Sequence, residues 1–222
     1  LVYESYVPTE TMIGYEIINN SQIDFLQEKG FVIYPEIFTI DAPSIESMSR
    51  VFNASKNFYG NKRKAISGEG IIHDILKGLG YKTYGIFAHD WFFYNYGSNY
   101  DVNFPEKSVK DLKPDKFLIA SILVGEFRID LIFDNQSYDE YIDVKRKTLT
   151  KTQNEKRFLY TQSLMPGHAK SLEYSQPGEI ETYKQNLKVA NYEMREDINL
   201  ILENDPKALI VLAGDHGPYL IN

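Results

Sequence analysis

Cysteine is absent from all 222 residues. That excludes disulfides, thiolate nucleophiles and thiolate metal ligands, and it leaves the compartment undecided. Long apolar runs are missing too, so no stretch of the sequence reads as a bilayer-spanning helix. Excess positive charge is also lacking: the net charge of −7 gives no general electrostatic reason to bind nucleic acid or an anionic surface. Internal repeats, low-complexity segments and clear linkers are not seen either. What is present reads as an ordinary globular chain, with 43% hydrophobic and 25% charged residues and enough length for one domain with a full core. Aromatic residues reach 14%, with 17 Tyr, which suits either a hydrogen-bonding cleft or simply a Tyr-rich core and surface.

The hydrophobic pattern alternates strands and helices in a βαβ-like order. Leu1–Tyr6 reads as a first core strand that delivers Glu4 and Ser5 to its carboxyl end. Asn20 and Ser21 cap a helix over 22–29 with Gly30 as its stop, and 31–34 reads as a strand. Ile45, Met48 and Phe52 recur at helical spacing, which puts Ser44 at a helix start. A hydroxyl there lies against unpaired N–H groups and the positive end of the helix dipole; it serves either as an N-cap or as the seat of a phosphate or sulfate.

A glycine-bounded helix over 70–80 and a strand over 81–88 come next. They lead into the aromatic loop His89–Tyr96, which reads equally as a cleft lining or as a plug over a sheet. The apolar stretch 117–133 favours helix by its length, and the basic run from Lys145 to Arg157 reads as a solvated helix face or loop. A strand over 158–165 breaks at Pro166-Gly167-His168. The helix from about Glu181 to Glu203 carries Tyr183, Leu187, Ala190, Met194, Ile198 and Ile201 on one face as core packing. The last strand, from Ala208, ends in Gly214-Asp215-His216-Gly217.

Glu4, Ser44, His168, Asp215 and His216 therefore fall at strand ends or a helix start, where sites of open α/β sheets gather. Carboxylates, imidazole and hydroxyl make an oxygen and nitrogen donor set for a divalent cation, Mn²⁺, Zn²⁺ or Mg²⁺. Such an ion would activate the Ser44 hydroxyl as a nucleophile, with His168 steadying the substrate or acting as an acid toward the leaving group.

Gly214-Asp215-His216-Gly217-Pro218 after an apolar strand resembles the hallmark of sulfatase-like members of the alkaline phosphatase superfamily. Val2-Tyr3-Glu4-Ser5 and Ala42-Pro43-Ser44-Ile45-Glu46-Ser47 are similar to the first strand and the nucleophile segment of membrane-anchored phosphoglycerol transferases and lipoteichoic acid synthases. The resemblance implies an α/β three-layer sandwich with a mostly parallel central sheet. It implies Glu4, Ser44, Asp215 and His216 as metal ligands, with Mn²⁺ foremost, and Ser44 as the nucleophile. Trp91, Tyr94, Asn95 and His168 are implied as substrate-binding residues. Two departures stand out: serine replaces the usual threonine, and Tyr96 stands where an arginine is common.

The activity so expected is a metal-dependent phosphotransferase or phosphodiester hydrolase that works through phospho-Ser44 on a phosphorylated lipid or glycan of the cell envelope. The alternatives are a sulfatase-like hydrolase and a binding module of the same fold. No nucleic-acid partner is expected. Residues 1–222 are expected to be one catalytic domain, cut from a larger extracytoplasmic protein whose membrane segment lies outside this chain.

Overall fold

The computed structural model describes residues 1–89, 92, 97–106, 138–151, 155–168 and 176–218. In chain order the elements are β1 (Val2–Tyr3), α1 (Thr9–Gly14), α2 (Asn20–Glu28), α3 (Ser44–Phe52), α4 (Lys62–Lys64) with a π-helical turn over Ala65–Glu69, and α5 (Ile71–Gly78). They continue with β2 (Lys82–Phe87), β3 (Val102–Phe104), α6 (Tyr138–Leu149), β4 (Arg157–Ser163), α7 (Gln176–Asn204) and β5 (Ala213–Gly214). The class is α/β, and every registered strand pair is parallel. The chain forms two compact units, one of Leu1–Ser44 with Ser163–Asn222 and one of Ile45–Gln162.

In the first unit β1 pairs with β5, Val2 opposite Ala213 and Tyr3 opposite Gly214. Helix α7 packs here through most of the stripe expected from its period: Tyr183, Leu187, Ala190, Met194 and Ile198 are buried, whereas Ile201 is only partly buried and Leu202 packs against the cluster at that end. They divide between two clusters. Tyr183 and Leu187 pack with Val7, Met12 and Ile17, while Ala190, Met194 and Ile198 pack with Tyr3 and Leu26. A closed ring of side-chain hydrogen bonds then ties three segments together. Tyr6 donates to Asn191 at 2.7 Å, Asn191 to Asn19 at 2.7 Å, and Asn19 back to the Tyr6 oxygen at 2.9 Å.

Three strand expectations change. The first strand, expected over Leu1–Tyr6, is limited to Val2–Tyr3, because the chain turns at Glu4–Ser5 with Ser5 at φ 58°. Residues 31–34 form no strand, and Val32 and Tyr34 are largely exposed. Their β-branched and aromatic character reports a fit to a pleated surface, but a strand also needs a neighbour to take its ladder bonds. The final strand is shorter than its apolar run. Pairing with the β1 segment begins where the Leu1 nitrogen donates to the Val211 carbonyl at 2.7 Å and Ala213 N–H donates to Leu1 O at 3.1 Å. Leu209 and Val211 keep their side chains in solvent.

In the second unit β2 lies between β3 and β4, with Tyr84 opposite both Val102 and Leu159. The basic run is only partly a solvated face, because Lys145 of α6 is 1% exposed with its ammonium 5.1 Å above the Tyr141 ring. The expected helix over 117–133 lies outside the described residues. A cluster of rings fills the core: Phe52, His73, Phe87, Tyr100, Phe158 and Tyr160 meet at centroid distances of 4.5 to 6.0 Å. Gly85 of β2 makes room for one of them, since a Cβ there would lie 2.6 Å from the Tyr100 ring.

His73 is the polar member of that core. Tyr100 donates its hydroxyl proton to Ile66 O at 2.9 Å, so the 3.0 Å contact from His73 Nε2 is an N–H donated to the Tyr100 oxygen. That leaves Nδ1, a buried atom without a hydrogen-bond partner, as the site a second proton would take. Burial first and the charge of Lys77 second lower the His73 pKa from 6.5 to about 4, against a smaller opposing effect of Asp74.

The neutral form is thus the one the fold accepts. Its contribution is fully present above pH 6.5 and is lost as pH falls through about 4. The loss is about 2 kcal/mol at pH 5 relative to pH 7. His89, also lowered to about 4 by burial, titrates in the same window. Urea unfolding at pH 7 and pH 5 should therefore show His73→Phe losing about 2 kcal/mol less than wild type; equal losses would exclude His73 as a source of acid sensitivity.

Candidate metal and active site

Glu4 leaves β1 with its backbone fixed on both sides. Its N–H donates to Ser163 O at 3.2 Å, and its carbonyl accepts from Gly167 N–H at 3.0 Å. Gly167 is required at this turn, because its φ is +69° and a Cβ would lie 2.6 Å from Leu164 O. The same turn presents His168, whose Nε2 is 3.2 Å from Glu4 Oε1. The His168 ring stacks on His216, with centroids 4.9 Å apart and planes inclined by 13°.

Asp215 and His216 follow β5 directly. Asp215 Oδ1 accepts two backbone N–H groups, from Ser5 at 3.0 Å and from His216 at 2.9 Å. His216 Nδ1 lies 2.8 Å from Gly217 O. A carbonyl only accepts, so Nδ1 carries the proton and Nε2 is left as the lone-pair donor. Gly214 admits this approach of two segments: a Cβ there would fall 2.0 Å from Tyr6 O.

Glu4, His168 and His216 each place a ligand atom within 4.8 Å of the others. A buried carboxylate oxygen and two imidazole nitrogens fit a divalent cation such as Zn²⁺ or Mn²⁺. The charge argument agrees, because Glu4 and Asp215 are both fully buried and carboxylates out of water require compensating charge or hydrogen bonds. Asp215 stands outside the trio of ligand atoms, with Oδ1 3.8 Å from His216 Nε2. Ser44 is buried and opens α3, as expected from the spacing of Ile45, Met48 and Phe52. Trp91, Tyr94 and Asn95 lie outside the described residues.

The site thus joins residues from both ends of the sequence, and a family match covers nearly the same span. The sulfatase family model matches residues 4–222. The chain belongs to the sulfatase family. No curated protein and no solved structure gave a match. Membership assigns the chain an α/β domain of the sulfatase and alkaline phosphatase superfamily, whose members are sulfatase-like hydrolases and transferases. Within this sulfatase domain, Ser5 contacts Asp215 through its N–H and Tyr183 reaches the site only through the Ser5 carbonyl; neither was among the expected site residues. Ser5 was evident only as the neighbour of Glu4, and Tyr183 only as one ring on a core stripe.

Gly214→Ala should cost about 3 kcal/mol, because the added methyl meets a backbone carbonyl that side-chain rotation cannot move. Gly14→Ala, at a position with nothing within 4 Å of the added Cβ, should be close to neutral. Urea midpoints of the two variants provide the comparison, and a tolerated alanine at 214 would mean that the two segments are not held at this separation.

Proposed function

We propose that this sulfatase-family domain transfers or hydrolyses a phosphate ester through a covalent phospho-Ser44 intermediate. The observation that carries the reading is the buried Glu4–His168–His216 trio, with Asp215 beside it and a serine at a helix start. A bound divalent cation would neutralise phosphoryl charge and lower the pKa of the attacking hydroxyl. Glu4, Asp215 and His216 are proposed to hold it together with Ser44, Mn²⁺ being the first candidate.

The chain's own residues do the rest. The first turn of α3 points unpaired N–H groups and the positive helix end toward an anion at Ser44. Ser44 Oγ gives up its proton to solvent and forms a bond to phosphorus as the bond to the leaving oxygen breaks; that oxygen takes a proton, with His168, which is outside the proposed ligand set, as the proposed donor. Water or an acceptor hydroxyl then displaces the serine oxygen. The substrate is proposed to be a phosphorylated lipid or glycan, met by an extracytoplasmic domain anchored through a segment outside these residues. Among the described residues no helix is long and apolar enough to cross a membrane. Sulfate-ester hydrolysis is the second reading, favoured by the family match itself; with no cysteine present, it would not use a nucleophile made from cysteine.

Incubation with a chromogenic phosphodiester and Mn²⁺, with intact mass measured alongside, tests the mechanism. Wild type should release product and carry the added mass of a phosphoryl adduct, and Ser44→Ala should lose both, with turnover down roughly 10³-fold or more. Turnover retained in that variant would sink the covalent mechanism. Chelation should abolish product release and added Mn²⁺ should restore it, whereas Glu4→Ala should resist restoration. Cleavage of an aryl sulfate in place of the phosphodiester would select the second reading.

A further inference from the structure

Ser5 is a fully buried residue in the left-handed region, at φ 58°. A non-glycine residue stays there only when its surroundings hold it. Both backbone polar groups of Ser5 are engaged. The N–H donates to Asp215 Oδ1 at 3.0 Å, and the carbonyl accepts from the Tyr183 hydroxyl at 2.8 Å. The side chain contributes less, because Ser5 Oγ is 3.4 Å from His216 Nδ1, which already donates to Gly217 O at 2.8 Å. Tyr183 is itself immobilised, fully buried on α7 among Val7, Met12, Ile17 and Leu187. Burial also pushes its pKa well above the ordinary tyrosine value, so the hydroxyl remains a proton donor.

We infer that Tyr183 is a positioning residue of the metal site: its hydroxyl clamps Ser5 in the left-handed conformation, and the Ser5 N–H in turn fixes the carboxylate plane of Asp215. The connection runs from a rigid helix through one residue held at positive φ to a carboxylate, so the hydroxyl acts on the site without touching it. Packing does not require that hydroxyl, because phenylalanine would fill the same space in the cluster. What the oxygen adds is a direction for the Ser5 carbonyl, and the Ser5 backbone dihedrals that join this carbonyl to the Ser5 N–H carry that direction to Asp215.

The inference rests on the proposed metal-dependent reading, and the test separates the two. The full chain is titrated with Mn²⁺ alone, free Mn²⁺ is followed by its electron paramagnetic resonance signal, and folding of the metal-free protein is monitored by circular dichroism. Tyr183→Phe should keep the fold and weaken Mn²⁺ binding about 10- to 100-fold, the range typical of groups that orient metal ligands. Adding Ser5→Gly to that variant should recover part of the loss, because glycine adopts positive φ without a clamp; a packing defect at Tyr183 would gain nothing from it.

Wild-type affinity in Tyr183→Phe, or no recovery in the double variant, overturns the inference and leaves the metal reading intact. Absence of Mn²⁺ binding by wild type overturns both. Should Tyr183→Phe fail to fold, Ser5→Val takes its place. A β-branched residue resists φ 58°, so the same 10- to 100-fold loss is expected, and unchanged binding overturns the inference.

Discussion

Two carboxylates without access to water, Glu4 and Asp215, set the terms for everything around them. A buried anion is tolerated only when dipoles, protons or cations surround it. Much of the irregular backbone near the site answers that demand. The turn at Gly167 returns the chain to the Glu4 carbonyl and brings His168 against its carboxylate. The peptide at Ser5 turns its N–H toward Asp215, where His216 supplies the second donor. Strand pairing carries the other part of the constraint. Tyr3 opposite Gly214 sets Glu4 and Asp215 one residue beyond the ends of neighbouring parallel strands.

The parts of the fold that were legible in the sequence are those whose signal is periodic and local. The α7 stripe from Tyr183 to Ile198 could be read because a helix packing on one side repeats its apolar residues at a fixed spacing. The start of α3 at Ser44 and the glycine-bounded α5 were legible for similar reasons, since caps and stops act within a turn or two of chain. Residues 31–34 and 208–212 failed as strands on different grounds. β character says that a segment suits a sheet, whereas the neighbour it needs comes from elsewhere in the chain. Lys145 inverted its expectation because charge runs average over residues, and a single long side chain can lay its stem along an aromatic ring.

At the site, Asp215 and His216 were conspicuous because two polar residues interrupt an apolar run, and Glu4 because it does the same at the first strand. His168 became noticeable through the Pro-Gly break before it. Tyr183 could not be found this way. Its hydroxyl differs from a core phenylalanine by one atom, and the partner of that atom is a backbone carbonyl 178 residues earlier. Interactions of a side chain with a distant peptide leave no pattern in composition or spacing. They become visible only when the backbone path is known.

The division of the sequence between its two compact units has a kinetic consequence. Ile45–Gln162 is a continuous stretch, so its core of edge-to-face and tilted rings can assemble as soon as that stretch is available. The other unit draws on Leu1–Ser44 and Ser163–Asn222, and every residue of the Glu4–His168–His216 trio belongs to it. During synthesis the first segment must wait, with its exposed Val32, Ile37 and Phe38, until more than a hundred further residues have been made. Contacts of such long sequence separation form late and slowly. Of the two units, the one that carries the Glu4–His168–His216 trio is therefore the later to come together, because the trio needs residues from both of its separated segments.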